Sequence, residues 1–499
     1  MAADVIMTAR PVWAVLISTA AALLIMASGR KPNLREFWTL AAALLKIGIV
    51  YSMLPMILQG NILISNPLIL SPGIELFFQV DAAGMLFAAL ASVLWFLTSI
   101  FSIGYMRSLH EAHQTGYYAS FALCLTAAMG IAFAGNLLTF FVFFEMLTLA
   151  TYPLVIHERT EEALRAGRQY LVYTLISGQL TLIGIILVYQ IAGHGNFMPG
   201  GFMSGIAGTP ALVGIFLLLM AGPAVKAGMM PFHGWLPSAM VAPTPVSALL
   251  HAVAVVKAGC FGVLRITGYV FSPQSLHAIG VAKPLAWLAG ATIILASLIA
   301  LTRPNLKQRL AYSTIGQLSY IILGAALGTT SALLGSFYHL FAHGIMKITL
   351  FFTAGAIYTK THDLEIRKLS GLGRTMPLTF CAYTFCALGI AGMPLAVGFI
   401  SKWNLLLGTV ESGQGGFAVV LIISGLLACA YLLPVAYSAF RSEVVPEMEH
   451  IKGEPNLWTL VPLLATSVIA LILGIFPDAA GHFYTLAQMA ADNIMTGTY

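Results

Sequence analysis

The sequence places amine and imidazole side chains at regular spacing inside apolar runs. The clearest case is SFYHLFAHGIMKITLFF, in which His339, His343 and Lys347 follow one another at four-residue intervals. On an α-helix this spacing puts all three on one face, over about 12 Å at about 1.5 Å per residue. Histidine changes charge near neutral pH, and lysine does so when it is removed from water. The pattern predicts a proton relay, with a polar seam between two helices as the alternative.

An acid and a base lie in the middle of two other apolar runs. Glu145 is central in LLTFFVFFEMLTLATYPL, and Lys226 stands between Pro223 and Pro231 in LLLMAGPAVKAGMMPFHGWLP. Proline removes a helix hydrogen bond, so we expect the helix to break near Lys226. We predict a pair in which movement or protonation of Glu145 makes Lys226 release a proton. A static ion pair that fixes helix register is the alternative.

A third segment, PTPVSALLHAVAVVKAG, adds a histidine and a lysine. Thr244, Ser247 and His251 fall on one helical stripe, and Lys257 is expected on a different face. The alternative for His251 is a core histidine bonded to a neighbour.

A second interrupted run, LGIAGMPLAVGFISKWNLL, has Gly392 and Pro394 ahead of Lys402. Interruptions at corresponding places in two halves of a chain are typical of inverted-repeat transporters with their site at the break. Two other basic residues are expected to have no part in transfer. Arg265, near the end of a run, is expected to extend towards water, and Lys46 to be structural or to extend in the same way.

Composition shows which elements must position these groups. The chain is 59% hydrophobic and only 8% charged, against about 25% charged in soluble proteins, so a soluble or disordered chain is excluded. The apolar residues suffice for about fourteen spans of about 20 residues each. The runs are long and continuous, which excludes a β-barrel. We predict an all-α polytopic membrane protein with about fourteen transmembrane helices.

Basic residues are distributed very unevenly between the predicted loops. Those after odd-numbered spans hold sixteen Lys and Arg, whereas the other side holds only Arg10 and Lys283. Positive loops stay inside, so we expect odd-numbered spans to end in the cytoplasm and both termini to lie outside a prokaryotic cell (inner) membrane. The net charge of +6 is then a topology signal, and no nucleic-acid partner is needed.

The charges inside the predicted spans cannot all face lipid. Six basic residues and Glu145 remain there, and at about 3 kcal/mol each they would cost about 20 kcal/mol in contact with lipid. They must face one another, a hydrated cavity or water at the end of a span.

No motif for a metal or cofactor is present in the sequence. The five cysteines are scattered and form no C-x-x-C pair, and neither a GxGxxG fingerprint nor a GxxxxGK[ST] loop occurs. Two histidines four residues apart would need a further metal ligand, which is not evident. We predict no catalytic residue, no metal and no cofactor in this chain.

The two interrupted spans suggest an internal repeat. Lys226 lies in span 7 and Lys402 in span 12, and a spacing of five spans fits two five-helix units, the second inverted because five is odd. The predicted organisation is spans 1–3 in 1–117, a first repeat of spans 4–8 in 118–267, a second of spans 9–13 in 284–440, and a cytoplasmic loop, span 14 and C-terminal tail in 441–499.

Four segments of the sequence together resemble a known family. PFHGWLPSAMVAPTPVSALLHAVAVVKAG, KQRLAYSTIGQLSYI, HGIMKITLFFTAGAI and GMPLAVGFISKW resemble signature segments of the antiporter-like subunits of respiratory complex I. They equally resemble the large subunits of Mrp-type Na⁺/H⁺ antiporters and of energy-converting membrane hydrogenases. The resemblance covers about residues 75–440 and implies fourteen helices, two inverted five-helix repeats, broken helices 7 and 12 and a hydrated axis of charged residues.

The resemblance also implies roles for individual residues in the first half of the chain. Glu145 resembles the helix 5 glutamate that neighbours the next subunit's lysine, and Lys226 resembles the switching lysine of helix 7. His251 and Lys257 match the connecting positions of helix 8.

In the second half of the chain, the resemblance implies a proton relay and a lysine at the proton exit. His343 and Lys347 match the relay of helix 11, and Lys402 matches the exit lysine of helix 12. His339 has no clear family position and is included on its spacing alone.

The branch of the family follows by elimination. One complex I subunit type carries glutamate where Lys402 stands, and another extends into a long lateral helix, whereas this chain is expected to finish soon after span 14. The D-type subunit of an Mrp antiporter is favoured, with a redox-driven proton pump of the complex I or hydrogenase kind as the alternative. A stand-alone secondary transporter and an inert membrane anchor are less favoured.

The expected partners follow from the same resemblance. They are other integral membrane subunits, including neighbouring antiporter-like subunits, the lipid bilayer, H⁺ and, in the antiporter reading, Na⁺. Any redox chemistry would belong to partner subunits, because this chain has no redox motif.

Overall fold

Apolar helices account for nearly all of the structure, a computed structural model that describes residues 4–499. Thirteen helices in this range are long and apolar enough to cross a membrane, and a further span is made of two shorter helices. We number these spans α1 Arg10–Ala27, α2 Pro32–Leu58, α3 Ala82–Ser108, α4 Gln114–Ala132, α5 Leu137–Val155, α6 Glu161–Ala192, α7 Thr209–Lys226, α8 Thr244–Val270, α9 Ala282–Thr302, α10 Leu306–Leu327, α11 Thr330–Thr361, α12a Pro377–Ala391, α12b Val397–Glu411, α13 Gly416–Arg441 and α14 Leu457–Ile475. A shorter helix, α15 Phe483–Thr496, follows the last span. The predicted all-α polytopic fold is confirmed.

Short elements connect the long helices. Single helical turns occupy Trp235–Ser238, Ala239–Val241, Pro273–Ala278, Ile366–Leu369, Leu372–Arg374 and Pro446–Met448. Five short strands, which the sequence patterns do not predict, are β1 Val5–Met7, β2 Ile62–Ile64, β3 Leu68–Ser71, β4 Ile74–Leu76 and β5 Gln79–Val80. Strand β2 pairs in parallel with β1 and antiparallel with β5, and β3 and β4 form a separate hairpin.

The chain crosses the bundle an even number of times. Strand β1, before α1, pairs with β2, which follows α2. At the other end of the chain, the Tyr499 hydroxyl donates to the carbonyl oxygen of Phe197, which follows α6. Both described ends therefore lie on one face, the terminal face. The opposite face, where α1, α3, α5, α9, α11 and α13 end, carries the sixteen loop Lys and Arg, and we call it the basic face.

Local side-chain chemistry explains where several helices begin. Asp81, Asn136, Thr160, Asn305 and Thr329 each accept a hydrogen bond from a backbone N–H in the first turn of α3, α5, α6, α10 and α11. Such caps satisfy donors that the first turn of a helix would leave unpaired. Each of these helix starts is thus encoded locally.

The helices fall into two five-helix units that pack in the same way. In α4–α8, α4 packs on α5, α5 on α6 and α6 on α7, and in α9–α13, α9 packs on α10, α10 on α11 and α11 on α12b. Because five is odd, the second unit runs through the bundle in the opposite direction. The most apolar stretches of α8 and α11 are entirely buried, so these two helices form the centre of the molecule.

Candidate functional site

Helix α11 presents the predicted relay residues on one face. It is a continuous helix from Thr330 to Thr361, and His339, His343 and Lys347 are all fully buried within it. The ring centroids of the two histidines are 5.8 Å apart. The helical spacing predicted from the sequence is confirmed.

A lysine of the first repeat reaches this face. Lys257 of α8 is fully buried, and its Nζ lies 2.8 Å from Nδ1 of His343. The partner of this amine is therefore another titratable group and not a carboxylate. The contact joins the two repeats at the centre of the molecule.

Lys347 extends to α10 instead of to another charged residue. Its Nζ donates to the Ser313 hydroxyl at 2.8 Å and to the Leu310 carbonyl at 3.4 Å. The Tyr431 hydroxyl of α13 also donates to Ser313, at 3.0 Å. Sequence reasoning misses Ser313 and Tyr431, and the signal for the former is the small polar residues inside the apolar run KQRLAYSTIGQLSYI.

His339 continues the series of contacts to α12b. Its Nδ1 lies 2.8 Å from the Ser401 hydroxyl, and its ring stacks on that of Tyr320 at 5.4 Å between centroids. The Nζ of Lys402 lies 4.9 Å from the centroid of the same Tyr320 ring and donates to the carbonyl of Ile390. Ser401 and Tyr320, which sequence reasoning also misses, thus connect His339 with Lys402.

The predicted break before Lys402 separates two helices. Helix α12a ends at Ala391, and α12b starts at Val397 and continues to Glu411. Gly392 opens the break at φ 106°, a left-handed conformation that favours glycine. Lys402 folds back onto this break, beside a cavity of about 360 Å³.

The other predicted break follows Lys226. Helix α7 continues through Pro223 and ends at Lys226, so Pro223 itself does not interrupt it, whereas Pro231 lies in the non-helical first part of the link to α8. The indole Nε1 of Trp235 donates to the Val225 carbonyl at 2.9 Å and holds this link against the helix end. Gly259 of α8 packs on the same end, because a Cβ there would overlap the backbone nitrogen of Ala227.

Glu145 and Lys226 are neighbours but do not form an ion pair in the structure. The Nζ of Lys226 donates to the Phe144 carbonyl and lies 3.4 Å from the centroid of the Phe144 ring. Both carboxylate oxygens of Glu145 are buried beside Gly178 of α6 and have no hydrogen-bond partner among the described residues, 4–499. The backbone of α5 therefore separates the predicted acid and base.

The shape of α8 departs from the regular helix assumed for it. Leu249–Val253 is a π-helical turn, and the backbone is irregular at Ala254. The wider turn changes the register of the helix, so His251 and Lys257 both face α11, and the prediction of different faces is wrong. The centroids of the His251 and Phe351 rings lie 4.8 Å apart, and neither nitrogen of His251 has a hydrogen-bond partner in the part of the chain that the structure describes.

The prediction that Arg265 extends towards water is wrong, and Lys46 follows the structural one of its two predicted alternatives. Arg265 is only 2% exposed and makes a bidentate ion pair with Asp81, at 2.5 and 2.8 Å. Two parallel hydrogen bonds to one carboxylate offset much of the cost of burying a guanidinium. Lys46 is fully buried, donates to the Ser18 hydroxyl at 2.6 Å and lies over the Trp95 ring, which supports the structural reading.

The structure therefore brings most of the predicted residues into one connected group. Lys257, His343, His339 and Lys402 follow one another through direct contacts or through Ser401 and Tyr320, and we call these four residues the central row. Lys347 lies one turn from it on α11, and His251 faces the same helix without a hydrogen bond. Glu145 and Lys226 lie together at the broken end of α7, against which α8 packs two residues after Lys257.

The part of the chain that holds these residues matches a known family. Residues 134–428, more than half of the chain and including both helix breaks, match the family described as NADH:quinone oxidoreductase/Mrp antiporter, TM. The chain belongs to this family. Membership confirms the resemblance inferred from the four signature segments.

The relatives of this chain include subunits of NADH-quinone oxidoreductases and subunits of cation/proton antiporters. NADH-quinone oxidoreductase subunit N of Desulforudis audaxviator (strain MP104C) is 30% identical over 423 residues, which are 81% of this chain and 83% of the relative. The A/B-type subunit of a probable K(+)/H(+) antiporter of Rhizobium meliloti (strain 1021) is 28% identical over 84% of this chain and only 42% of its own length. The chain thus spans about half the length of the antiporter subunits it matches.

Solved structures share the fold over nearly the whole chain. The Mrp complex from Dietzia sp. DQ12-45-1b contains a chain that matches with a TM-score of 0.87 and 23% identity over 97% of both chains. The membrane-bound sulfane sulfur reductase, an archaeal respiratory membrane complex, matches with a TM-score of 0.85 and 24% identity over 98% of both. The antiporter-like membrane-subunit fold is therefore shown.

Proposed function

We propose that this chain moves protons through the membrane as one subunit of a larger complex. The path runs from Glu145 and Lys226 through the central row to Lys402, with His251 and Lys347 beside it. The observation that carries the proposal is the contact of Lys257 with His343, which connects titratable groups of the two repeats inside an apolar bundle.

The chemistry of the central row favours transfer over static stabilisation. A proton passes from the Nζ of Lys257 to the Nδ1 of His343 over 2.8 Å when the first group is charged and the second is neutral. Like charges at this distance repel, so two neighbouring groups are rarely protonated together. Arrival of one proton therefore promotes departure of the next.

Six buried polar atoms along this path have no hydrogen-bond partner among residues 4–499, and other unpaired atoms lie elsewhere in the bundle, such as the Trp95 Nε1 and the Tyr118 hydroxyl. The six are both nitrogens of His251, the Nε2 atoms of His339 and His343, and both carboxylate oxygens of Glu145. Each such atom costs about 1–3 kcal/mol unless water satisfies it. Hydration along this path is thus energetically favoured, and water is the medium that would connect groups not in direct contact.

An Mrp-type cation/proton antiporter is the favoured complex, with this chain as its D-type subunit and Na⁺ as the exchanged cation. The support is the presence of Lys402 at the break of α12 and the match to a chain of an Mrp complex. The alternative, a redox-driven proton pump, is supported by the relative that belongs to an NADH-quinone oxidoreductase. Co-purifying chains with iron–sulfur or nickel sites would favour the alternative, and only small hydrophobic companions would favour the antiporter.

The proposed surroundings are a prokaryotic inner membrane with the basic face in the cytoplasm. Neighbouring antiporter-like subunits are the proposed partners. A stand-alone transporter would exchange ions after reconstitution of this single chain, whereas we expect the isolated chain to be inactive.

The test replaces the two groups at the broken end of α7. We expect Lys226→Ala and Glu145→Ala to abolish cation-dependent proton movement in everted membrane vesicles that contain the assembled complex. Lys283→Ala, which removes an exposed lysine at the start of α9, is the control and should transport normally. Normal transport by an assembled Lys226→Ala complex would overturn the proposed function.

A further inference from the structure

Two hydroxyl groups hold Lys347 outside the central row. Its Nζ donates to the Ser313 hydroxyl of α10 at 2.8 Å, and the Tyr431 hydroxyl of α13 donates to the same oxygen at 3.0 Å. All three side chains are at most 1% exposed. Neither hydroxyl has a part in the path proposed above.

The Ser313 hydroxyl differs from its neighbours on α10 in what it donates to. The hydroxyls of Thr314 and Ser319 each donate to a backbone carbonyl one turn earlier, at 3.0 Å. Serine and threonine inside a helix commonly make this bond. The Ser313 oxygen instead accepts two hydrogen bonds, and its own hydrogen has no acceptor among residues 4–499. That hydrogen is therefore free to turn towards Lys347.

A hydroxyl in this position can bond a lysine in both of its protonation states. The charged ammonium has three donors and no acceptor, so Ser313 must accept from it. The neutral amine has a lone pair, to which the Ser313 hydroxyl can donate, while Tyr431 continues to donate to Ser313. Lys347 can thus gain or lose a proton without moving, because only one O–H bond rotates.

A second buried lysine–serine pair lacks this freedom. Lys46 donates to the Ser18 hydroxyl at 2.6 Å, and both side chains are fully buried. The Ser18 hydroxyl, however, has an acceptor of its own in the Val15 carbonyl, at 3.2 Å. Ser18 is thus fixed as an acceptor, which suits only the charged form of Lys46.

The charge of Lys347 acts on the central row. The ionisable groups that interact electrostatically with its amine are His251 and Lys257 of α8, His339 and His343 of α11 and Lys402 of α12b. All of them are bases, so a proton on Lys347 opposes a proton on any of them. On α13, the titratable group that faces this site is the Tyr431 hydroxyl itself. A charged Lys347 therefore favours a neutral row, and a neutral Lys347 lets the row take up a proton.

We infer that Ser313, held by Tyr431, is a positioning residue that makes Lys347 a proton store, a group that takes up a proton from the central row and returns it. The inference rests on the proposed function and adds the means by which a buried lysine changes charge without leaving its site. An N–H bond forms on Lys347 as the proton arrives from the row through water, and the same bond breaks on its return. Ser313 gives up no proton, and no electron is transferred.

The experiment measures the initial rate of cation-dependent proton movement against pH in everted vesicles that contain the assembled complex. Ser313→Ala removes a hydrogen bond that is stronger to the ammonium than to the neutral amine, so Lys347 should hold its proton less firmly. The high-pH limb of the rate profile should shift to lower pH by about one unit. Ser313→Thr keeps the hydroxyl and should keep the wild-type profile. Ser18→Ala, the matched control, removes the equivalent bond at Lys46 and should leave the profile unchanged.

The outcomes separate this inference from the proposed function. A wild-type profile for Ser313→Ala, or a rate lowered equally at every pH, would overturn the proton store and, with Lys226→Ala inactive, leave the proposed function standing. An equal shift in Ser18→Ala would also overturn the store, because Lys46 has no part in the path. Transport by Lys226→Ala would overturn both. Native gels that show equal amounts of assembled complex exclude loss of assembly as the cause of a changed rate.

Discussion

At the residue scale, the neighbours of a buried lysine decide what it can do. Lys46 and Lys257 are equally buried, and the hydrogen-bond partners of their amines among residues 4–499 are not carboxylates. The amine of Lys46 faces Ser18, a backbone carbonyl and the Trp95 ring, none of which accepts a proton near neutral pH. The amine of Lys257 faces the imidazole of His343, whose ring nitrogens can bind and release a proton. Equal burial is thus compatible with a structural role in one case and a transfer role in the other.

This difference predicts opposite effects for the same substitution. Lys257→Met should lower proton movement by about 100-fold or more, because it removes a proton carrier from the central row. Lys46→Met should leave the transport rate per assembled complex unchanged, since methionine fills a similar volume without removing a carrier. Stopped-flow measurement of vesicle pH, normalised to the amount of complex, checks both. Equal rates for the two variants would contradict the assignment.

At the element scale, the irregular parts of helices place the titratable groups. Lys226 is the last residue of α7, and its Nζ donates to the Phe144 carbonyl of α5. Lys402 reaches back to the break between α12a and α12b, where its Nζ donates to the Ile390 carbonyl, which a continuous helix would use for its own hydrogen bond. His251 lies in the π-helical turn of α8, and its ring packs on Phe351 of α11. Irregular backbone at membrane depth is tolerated where it is buried in protein or lines a cavity.

The close approach of α8 to the broken end of α7 can be tested with two glycines. A Cβ on Gly259 would overlap the α7 backbone at Ala227, whereas Gly214, also in a transmembrane helix, has open space around it. We expect Gly259→Ala to destabilise the complex by about 1–3 kcal/mol and to reduce transport, because α8 must move away from Lys226. Thermal unfolding and transport of both variants check this. A Gly214→Ala variant as impaired as Gly259→Ala would show that the approach is unimportant.

At the scale of the whole molecule, the two faces of the bundle differ. The basic face has a large polar cavity among the ends of α5, α9 and α11 and the start of α8. The small sheet of β1, β2 and β5 lies on the terminal face, and β5 leads directly into Asp81, which caps α3 and pairs with Arg265 of α8. The Tyr499 hydroxyl accepts from the side chain of Gln79 and so ties the end of the chain to β5. The asymmetry predicts easier access for protons from the basic face.

The orientation of these faces is a separate prediction. The excess of Lys and Arg on the basic face should keep it in the cytoplasm. A cleavable tag at the N-terminus should therefore be removed by protease added to intact spheroplasts, and a tag inserted at Gly453, between α13 and α14, should be removed only in everted vesicles. The reverse pattern of cleavage would show the opposite orientation.

Local patterns in the sequence determined the membrane class, the approximate spans, the shared face of His339, His343 and Lys347 and the presence of two interrupted spans. Each of these depends on composition or on spacing within one segment. Periodicity and Gly/Pro positions report such features because they act over a few residues. The local patterns did not predict where the helices are interrupted in detail. Helix α7 continues through Pro223, and α8 adopts a π-helical turn that no spacing rule indicates.

Only the tertiary structure decided which buried charge meets which partner. Arg265 pairs with Asp81 across 184 residues of sequence, and Lys257 meets His343 across 86. The sequence shows that such charges must be kept from lipid, but their partners depend on how distant helices pack against each other. The same packing buries Lys307, which the sequence places in a loop, among the residues that line a cavity. Removing one member of such a buried pair is costly, because a charge left without its partner inside the bundle destabilises the protein.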